Sequence, residues 1–372
     1  MTMRKLKLSC LAATAIALAT PVLADDVKVG VVVSTTQTYA FVGVPLVNGM
    51  KLAADEISAG NGWGGNKVDI VYQDNRSDKQ EAIALITRMA ESENADIIIG
   101  PIATSEAMAT GPVANSLKIP MFTTATSPAV LEAGPYIFKS TETADAYLAP
   151  VAEQVISMGP KSCFVVTIRD NEGYVRQRDV FRASLEKAGV NIVGDEGILA
   201  ADTDFTALST KIVSAEPDCL FVTAPPEQAA NIIIQAKQAG LEPDTILAGD
   251  SGAGSQKFID AGGSAIEGTI FPASFVADSS ESAAAFAANY QKAYGNAPDL
   301  WAATGYTMMQ TVANAIRNAG SDVTRDSLRD AMAATKDMPI VMGQGKLTFD
   351  ENRIPHMGGI AMMIKDGGWA KP

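Results

Sequence analysis

KSCFVVTI, at residues 161–168, restarts a pattern that the chain has already run through once, beginning with VKVGVVVS at residues 27–34. Both stretches are apolar runs rich in β-branched residues, which is typical of strands that are buried on both faces. Each run is followed by alternating helical and strand-like segments. Two consecutive βα series of similar length predict an α/β protein with two lobes, each built on a doubly wound parallel sheet.

The first series alternates regularly between helix and strand patterns. In VNGMKLAADEISAG, at residues 47–60, apolar residues share one helical face, and the final glycine is typical of a helix end. The following segments predict strand, helix, strand, helix and strand: KVDIVYQDN (67–75), EAIALITRMAES (81–92), ADIIIGP (95–101), ATSEAMATGPVANS (103–116) and IPMFTTATS (119–127). Thr104 or Ser105 is expected to cap the helix at 103–116.

The second series repeats this alternation and then gives way to helices. After KSCFVVTI the segments predict helix, strand, helix, strand, helix and strand: VFRASLEKAG (180–189), VNIVGDEGI (190–198), FTALSTKIVSA (205–215), DCLFVTAPP (218–226), AANIIIQAKQAG (229–240) and TILAGDS (245–251). From EGTIFPASF (267–275) onward we expect a mainly helical region that completes one lobe.

The chain begins with the features of a secretory signal peptide: basic MTMRKLK, apolar LSCLAATAIALAT, and PVLA before a cleavage site after Ala24. The apolar run is shorter than the ~20 residues of a membrane-spanning helix, which argues against a transmembrane anchor. Lipid attachment at Cys10 is disfavoured because Lys7 occupies an apolar position of the lipoprotein motif. We therefore expect an exported protein, located in a bacterial periplasm.

Charge and motifs exclude several classes of function. The formal charge of −13 becomes about −16 when the three basic residues of the signal peptide are removed. Such an acidic chain is a poor partner for nucleic acids and anionic membranes. The sequence contains one histidine, His356, and no Walker A, H-E-x-x-H or C-x-x-C motif. We expect no metal, no cofactor and no enzymatic activity.

Cys163 and Cys219 remain after removal of the signal peptide, and each lies near the start of a predicted strand. Export would permit a disulfide between them. Neighbouring parallel strands rarely offer suitable geometry, however, so two buried thiols are the favoured expectation and a disulfide is the alternative.

The loops at the carboxyl ends of the predicted strands share an unusual composition. They are rich in serine, threonine and glycine and contain few charges: STTQTYAFVG (34–43), GPIATS (100–105), TTATSP (123–128), RDNEGY (169–174), TAPPEQ (223–228) and GDSGAG (249–254). Ligands of open parallel sheets bind beyond these strand ends. Hydroxyls and free backbone N–H groups at this edge predict a site for a small polar ligand.

Two stretches resemble catalytic or nucleotide-binding motifs. GDSGAGS, at residues 249–255, is similar to the sequence around a protease nucleophile, but His356 follows Ser251 instead of preceding it, so we reject a nucleophilic role. Asp250 is the stronger candidate, either as a helix cap or as the partner of an ammonium group. GNGWGG, at residues 60–65, lies between a helix and a strand, which is the wrong order for a dinucleotide site.

Taken together, these segments resemble the periplasmic binding proteins for leucine, isoleucine and valine, which are type I solute-binding components of ABC importers. The resemblance covers nearly the whole mature chain and is carried by VNGMKLAADEISAGNGWGGNKVDIVYQDNRSD (47–78), IIIGPIATS (97–105), IPMFTTATSPAV (119–130), DTDFTALSTKI (202–212) and ILAGD (246–250). It implies two lobes joined by three crossover segments. Lobe 1 is expected at 27–141 plus 273–348, and lobe 2 at 142–272 plus 349–372.

The resemblance also implies roles for loop residues. Ala103 and Thr104 correspond to a loop that meets the ligand's carboxylate, beside a helix N-terminus that adds partial positive charge. Thr124 and Thr126 match positions that bind the carboxylate and ammonium groups, and Asp250 matches an acidic residue that faces the α-ammonium. A helix cap or a turn residue is the alternative for each threonine.

Aromatic residues are expected to complete the site. Tyr174 lies near a cleft tyrosine of the second lobe, although the family's Tyr-Gly pair is here Tyr174-Val175. Trp301 matches an aromatic residue of the side-chain pocket, with ordinary helix packing as the alternative, and Phe41 lies near another wall. The family's second cleft tyrosine is replaced within TAPPEQ, and the pocket-side disulfide of its best-known members is missing.

The resemblance therefore implies a monomeric periplasmic protein that captures an amino acid, branched-chain or otherwise apolar, and delivers it to an ABC permease in the inner membrane. Two alternatives remain open. One is an extracytoplasmic sensor that presents its ligand to a membrane receptor, and the other is transport of an amide or an aromatic acid.

Overall fold

The computed structural model describes residues 26–278, 280–320 and 322–372, so the predicted signal peptide lies outside the described residues. Eleven α-helices occur in the described part of the chain. They are α1 to α11: Ala40–Ala59, Lys79–Glu91, Thr104–Ser116, Ala144–Ser157, Glu172–Lys187, Thr206–Ser214, Pro226–Gln238, Gln256–Gly262, Glu281–Tyr294, Leu300–Ala319 and Arg325–Ala333. Within these ranges, none of the helices combines the length and the apolar character that crossing a bilayer requires.

The first sheet is built from the first βα series. Its five strands, β1 to β5, are Val27–Val33, Val68–Asp74, Ile97–Ile99, Met121–Thr123 and Ile137–Lys139. They lie in the order β2-β1-β3-β4-β5, and all neighbours are parallel. β3, β4 and β5 are buried throughout, because helices cover both faces of a doubly wound sheet. This agrees with the predicted architecture.

The second sheet repeats the same winding and adds two strands. Its parallel members, β6 to β10, are Ser162–Ile168, Asn191–Ile198, Cys219–Thr223, Ile246–Gly249 and Ile270–Ala273. They lie in the order β7-β6-β8-β9-β10. This is the order of the first sheet, with β6 in the place of β1, β7 in the place of β2, and so on. Two antiparallel strands then extend the edge beyond β10. The restart that KSCFVVTI indicates is therefore visible as a second sheet of the same topology.

The expectation of a mainly helical region after residue 267 is incomplete. Helices α9 to α11 are present, but so are β10 and the short strands β11 to β15: Met338–Pro339, Lys346–Phe349, Pro355–His356, Ile360–Lys365 and Gly368–Ala370. β14 and β15 form a hairpin whose two turn residues, Asp366 and Gly367, both have positive φ. An Asp-Gly pair is a strong signal for such a turn, and the sequence contained it.

The chain passes between the two units at three places: after β5, after β10 and between β13 and β14. Glu142, in the first passage, accepts hydrogen bonds from the backbone N–H groups of Met357 and Gly358, in the third, at 3.2 and 3.0 Å. Phe349 packs edge-on against rings of the first sheet, and Arg353 donates to the carbonyl of Ile137. The lobe boundaries remain a prediction, and these contacts favour a third passage near residue 357.

The expectation of two free thiols is wrong, because Cys163 and Cys219 form a disulfide. β6 and β8 are neighbouring parallel strands, and their register sets the two cysteines directly opposite each other. Their Cα atoms lie 4.3 Å apart, and both residues are fully buried. Disulfides between neighbouring parallel strands are rare, but here the strand register places the two cysteines opposite each other, and this allows the bond.

We expect the double variant Cys163→Ala/Cys219→Ala to lose about 4 kcal/mol of unfolding free energy, the entropic value for a loop of this length. The bridged residues are 56 positions apart. Urea denaturation of both proteins measures the difference. Alkylation of the unfolded, unreduced protein should label neither cysteine, and labelling of both would contradict the disulfide.

Candidate functional site

A cleft of about 60 Å³ lies where loops of both sheets meet. Its lining comes from the loops after β1, β3 and β4 on one side, from those after β6 and β9 on the other, and from the start of α10. The lining residues are Tyr39, Phe41, Val42, Ile102, Ala103, Thr104, Thr124, Thr126, Asn171, Gly173, Tyr174, Gln177, Ser251, Gly252 and Trp301.

Strand order explains why the cleft lies there. β1 lies between β2 and β3 in the first sheet, and β6 lies between β7 and β8 in the second. The chain therefore continues to one side of the first strand and later returns to its other side. Such a switch point opens a crevice at the carboxyl ends of the strands. The loops after β1 and β3 form this crevice on one side, and the loop after β6 contributes on the other. The predicted location of the site at the strand ends agrees with this geometry.

The N-terminus of α3 begins beneath the cleft, but neither predicted cap residue caps it. Ala103 holds the cap position in an extended conformation, and Thr104 is the first helical residue. The Glu106 carboxylate accepts a hydrogen bond from the Ala103 N–H at 3.3 Å. The Thr104 hydroxyl instead accepts from the Thr126 N–H at 3.2 Å, which ties the two predicted binding loops together.

Glu106 is buried close to this helix start. Asn75 donates to its carboxylate at 2.9 Å and in turn accepts from the hydroxyl of Ser34 at 3.1 Å. Burial raises the pKa of Glu106 to about 7, because desolvation penalises the charged form more than these hydrogen bonds favour it. A proton on this carboxyl is therefore sensitive to any charge that enters the cleft.

The loop after β4 is held by buried partners. The Thr124 hydroxyl donates to the carbonyl of Ile102 at 2.8 Å. The ammonium group of Lys139 donates to the carbonyls of Thr126 and Glu142, each at 2.9 Å. Burial lowers the pKa of Lys139 to about 7, although the Glu142 charge opposes this shift. The loop is thus fixed from behind, and its threonines line the cleft.

The opposite wall is the N-terminus of α5. Asn171 caps this helix by accepting from the Gly173 N–H at 2.9 Å, and its amide donates to the Tyr39 hydroxyl across the cleft at 2.7 Å. A Cβ atom at Gly173 would lie 2.7 Å from the Thr104 hydroxyl oxygen. The starts of α3 and α5 therefore face each other closely. Two converging helix N-termini favour an anionic group between them.

Asp250 lies behind the cleft and not in its lining. It caps the 3₁₀ turn Ser251–Gly254, where its carboxylate accepts from the Gly252 N–H at 2.6 Å and from the Thr223 hydroxyl at 2.9 Å. Burial raises its pKa to about 7. Asp250 thus acts as a cap, but only of this turn, because the helix that follows, α8, is capped by Ser255. Ser251 and Gly252 occupy the surface that Asp250 was expected to reach. An ammonium partnership stays a prediction.

The structure brings together seven of the eight predicted site residues. Phe41, Tyr174 and Trp301 lie in one cleft with Ala103 and the three threonines, and all three aromatic side chains are buried. Burial raises the pKa of the Tyr174 hydroxyl well above its usual value, so the group stays neutral. Whether each residue contacts a ligand remains a prediction.

Sequence reasoning missed eight of the lining residues. Seven of them lie inside the loops already singled out by composition, so only their individual roles were overlooked. Gln177 lies outside those loops, within α5. It lies four positions, one helical turn, beyond Gly173, and that spacing was the available signal.

The lining offers little for catalysis. None of the lining residues carries a charged side chain. The described part of the chain also contains no cluster of three or more His, Cys, Asp or Glu residues placed to hold a metal ion. His356 pairs with Asp350 at 3.2 Å, and Ser251 interacts with Tyr147. The arrangement suits reversible binding by hydrogen bonds and apolar contact.

Comparisons with known proteins agree with this geometry. The family model for periplasmic binding proteins matches residues 26–368. A Leu/Ile/Val-binding protein, BraC3 of Rhizobium johnstonii, is 26% identical over 354 residues, which is 94% of each chain.

Two examples show that the fold is shared with solved structures. The leucine binding protein LivK of Thermotoga maritima superposes with a TM-score of 0.85 at 25% identity, covering 92% of this chain and 97% of that one. A solute binding protein of an ABC transporter from R. palustris, in complex with benzoate, gives a TM-score of 0.83 at 24% identity, covering 93% and 95%.

We expect Gly173→Ala to hold the two sides of the cleft apart, because the added methyl group would overlap the Thr104 hydroxyl. Alanine in a helix adds about 0.5–1 kcal/mol of stability, so folding should not suffer. Small-angle X-ray scattering should give a larger radius of gyration for the variant. Gly60→Ala is the matched control, since its Cβ would lie no closer than 3.5 Å to its neighbours. Equal radii for the unaltered protein and Gly173→Ala would contradict this packing.

Proposed function

Since this chain belongs to the periplasmic binding protein family, whose members bind solutes and are not enzymes, we propose that its cleft captures an amino acid in the periplasm. Delivery to an ABC permease in the inner membrane by a monomer completes the proposal. The observation that carries it is the convergence of two helix N-termini on a cleft without charged lining residues, with a buried carboxyl group directly behind it.

The ligand's carboxylate would lie between the starts of α3 and α5. Backbone N–H groups of the first helical turn lack partners within the helix and carry partial positive charge. Thr104, Thr124 and Thr126 add hydroxyl groups on one side. Asn171, on the other side, links the two walls through Tyr39. This arrangement binds an anion without a lysine or arginine, which keeps release possible.

The ligand's ammonium group would be stabilised by Asp250. Its carboxylate has about four acceptor sites, and the bonds from Gly252, Thr223 and the Ala224 backbone leave one for a further interaction. Burial strengthens the attraction, because two charges ~4 Å apart interact by about 4 kcal/mol at an effective dielectric constant near 20.

A mainly apolar side chain would contact Phe41, Tyr174 and Trp301. All three are buried and line the cleft. The Leu/Ile/Val-binding relative from Rhizobium johnstonii supports this class of ligand. Contacts that both lobes make with one ligand exist only when the lobes are together, so binding favours the closed arrangement.

The variant Asp250→Asn distinguishes the negative charge of Asp250 from its role as the cap of the following turn. Asparagine is an equally good cap, so the turn should persist while the counter-charge is lost. We expect the affinity for leucine or valine, measured by isothermal titration calorimetry, to fall at least a hundredfold, about 3 kcal/mol. Asp299→Asn is the matched control, because Asp299 is also a buried cap, on α10, and does not line the cleft. An unchanged affinity in Asp250→Asn would leave the aspartate as a cap only.

Affinity should also depend on pH in a defined direction. The Asp250 carboxyl has a pKa of about 7 in the free protein, and a bound ammonium would lower it. Binding then releases a proton below pH 7, so affinity should rise with pH up to about 7 and level off above. Titrations between pH 5.5 and pH 8 test this. A flat profile in the unaltered protein would count against the ammonium pair.

A carboxylic acid without an ammonium group could also enter this uncharged cleft. A thermal-shift panel of leucine, valine, threonine, asparagine and benzoate distinguishes the two classes. Stabilisation by benzoate and by none of the amino acids would replace the proposed ligand class.

A further inference from the structure

Two buried polar atoms of the cleft have no partner. The indole nitrogen Nε1 of Trp301 and the amide oxygen Oε1 of Gln177 are inaccessible to solvent and form no hydrogen bond within the described part of the chain. The two side chains are 6% and 3% exposed, and both line the cleft. One atom is a donor and the other is an acceptor.

Such a pair costs free energy for as long as both atoms stay unpaired. A buried donor or acceptor without a partner costs about 1–3 kcal/mol, and native proteins contain few of them. The neighbouring polar groups are satisfied: Thr124 donates to Ile102, Thr104 accepts from Thr126, and Asn171 donates to Tyr39. The indole N–H of Trp301 and the amide oxygen of Gln177 are therefore exceptions among these groups, and a bound ligand can supply the hydrogen bonds that they lack.

The two atoms come from opposite sides. Gln177 lies on α5, one turn after Gly173, where an added Cβ atom would meet Thr104 and Thr126. Trp301 is the second residue of α10, a helix that packs against α1. A ligand group that bonds to both would therefore join elements of the two units.

The chemistry of this group follows from the pair. It must accept one hydrogen bond from an indole N–H and donate one to an amide oxygen. A hydroxyl or a carboxamide can do both, whereas a methyl group can do neither. A carboxylate cannot donate and an ammonium group cannot accept, so either charge would leave one atom unpaired.

We propose that the captured solute carries a neutral hydroxyl or carboxamide on its side chain, bound between the indole N–H of Trp301 and the amide oxygen of Gln177. This inference rests on the proposed function and narrows it from apolar amino acids to those with one hydrogen-bonding group on a compact side chain. Aromatic contacts with Phe41 and Tyr174 remain available to the apolar part.

Isosteric ligand pairs test the proposal directly. Threonine and valine have nearly the same shape, as do asparagine and leucine, and each pair differs mainly in hydrogen bonding. We expect calorimetry to show at least tenfold tighter binding of threonine than of valine, or of asparagine than of leucine, because a site with unmet polar groups rejects the apolar analogue. Equal or tighter binding of both apolar partners would overturn the proposal.

Variants assign the preference to the two residues. Trp301→Phe removes the N–H and keeps an aromatic ring, and Gln177→Leu removes the amide at similar volume. In each variant we expect the preference for the polar isostere to shrink to about twofold. A preference that is unchanged in both variants would overturn the assignment. Gln177→Leu also serves alone if Trp301→Phe does not fold, and its ligand-free stability should not fall, since an unmet buried acceptor is removed.

The inference can fail separately from the proposed function. If no amino acid stabilises the protein, the proposed function is wrong, and 4-hydroxybenzoate against benzoate then tests the hydrogen-bonding pair alone. Tenfold preference for the hydroxylated acid would support the pair in that case. Equal affinity for the two acids would overturn it.

Discussion

Parallel strand pairing is the constraint on which the rest of this structure depends. Parallel neighbours need a crossover between them, so all the parallel strands of a sheet end at the same edge. The same winding order occurs twice, and each copy has a switch point beside its first strand. The chain then brings the loops of the two edges together. Threonines, glycines and aromatic residues that are distant in sequence meet because of this topology.

The ionisable side chains near the cleft lie behind its lining and not in it. Its lining is neutral, while Asp250 and Lys139 are buried immediately behind it and Glu106 beneath it. Burial moves the pKa of each of these three groups towards neutrality, so their protonation can respond to a ligand's charge. Helix N-termini supply the positive potential in place of basic side chains.

Much of this was readable from the sequence, and the failures have physical causes. Apolar runs predicted the first four parallel strands of each sheet but missed β5 and β10, and loop composition predicted the location of the cleft. Asp250 was placed correctly at a strand end, but whether its carboxylate faces outward or caps its own turn depends on Thr223, 27 residues earlier. The pairing of Cys163 with Cys219 depends on the register between two strands. Gln177 was missed because its only signal, the spacing of one helical turn from Gly173, has meaning only once α5 is known to begin at the cleft.

The carboxylate of Glu142 has a mechanical consequence. It lies in one passage between the units and holds the backbone of Met357 and Gly358 in another. Two connectors fastened to each other cannot bend independently, so relative motion of the halves reduces towards rotation about one axis. Lys139 joins the same residue to the Thr126 loop. A rotation about that axis would therefore also act on the loop that contains Thr124 and Thr126. A small rotation at the axis produces a larger displacement at the outer edge of the cleft.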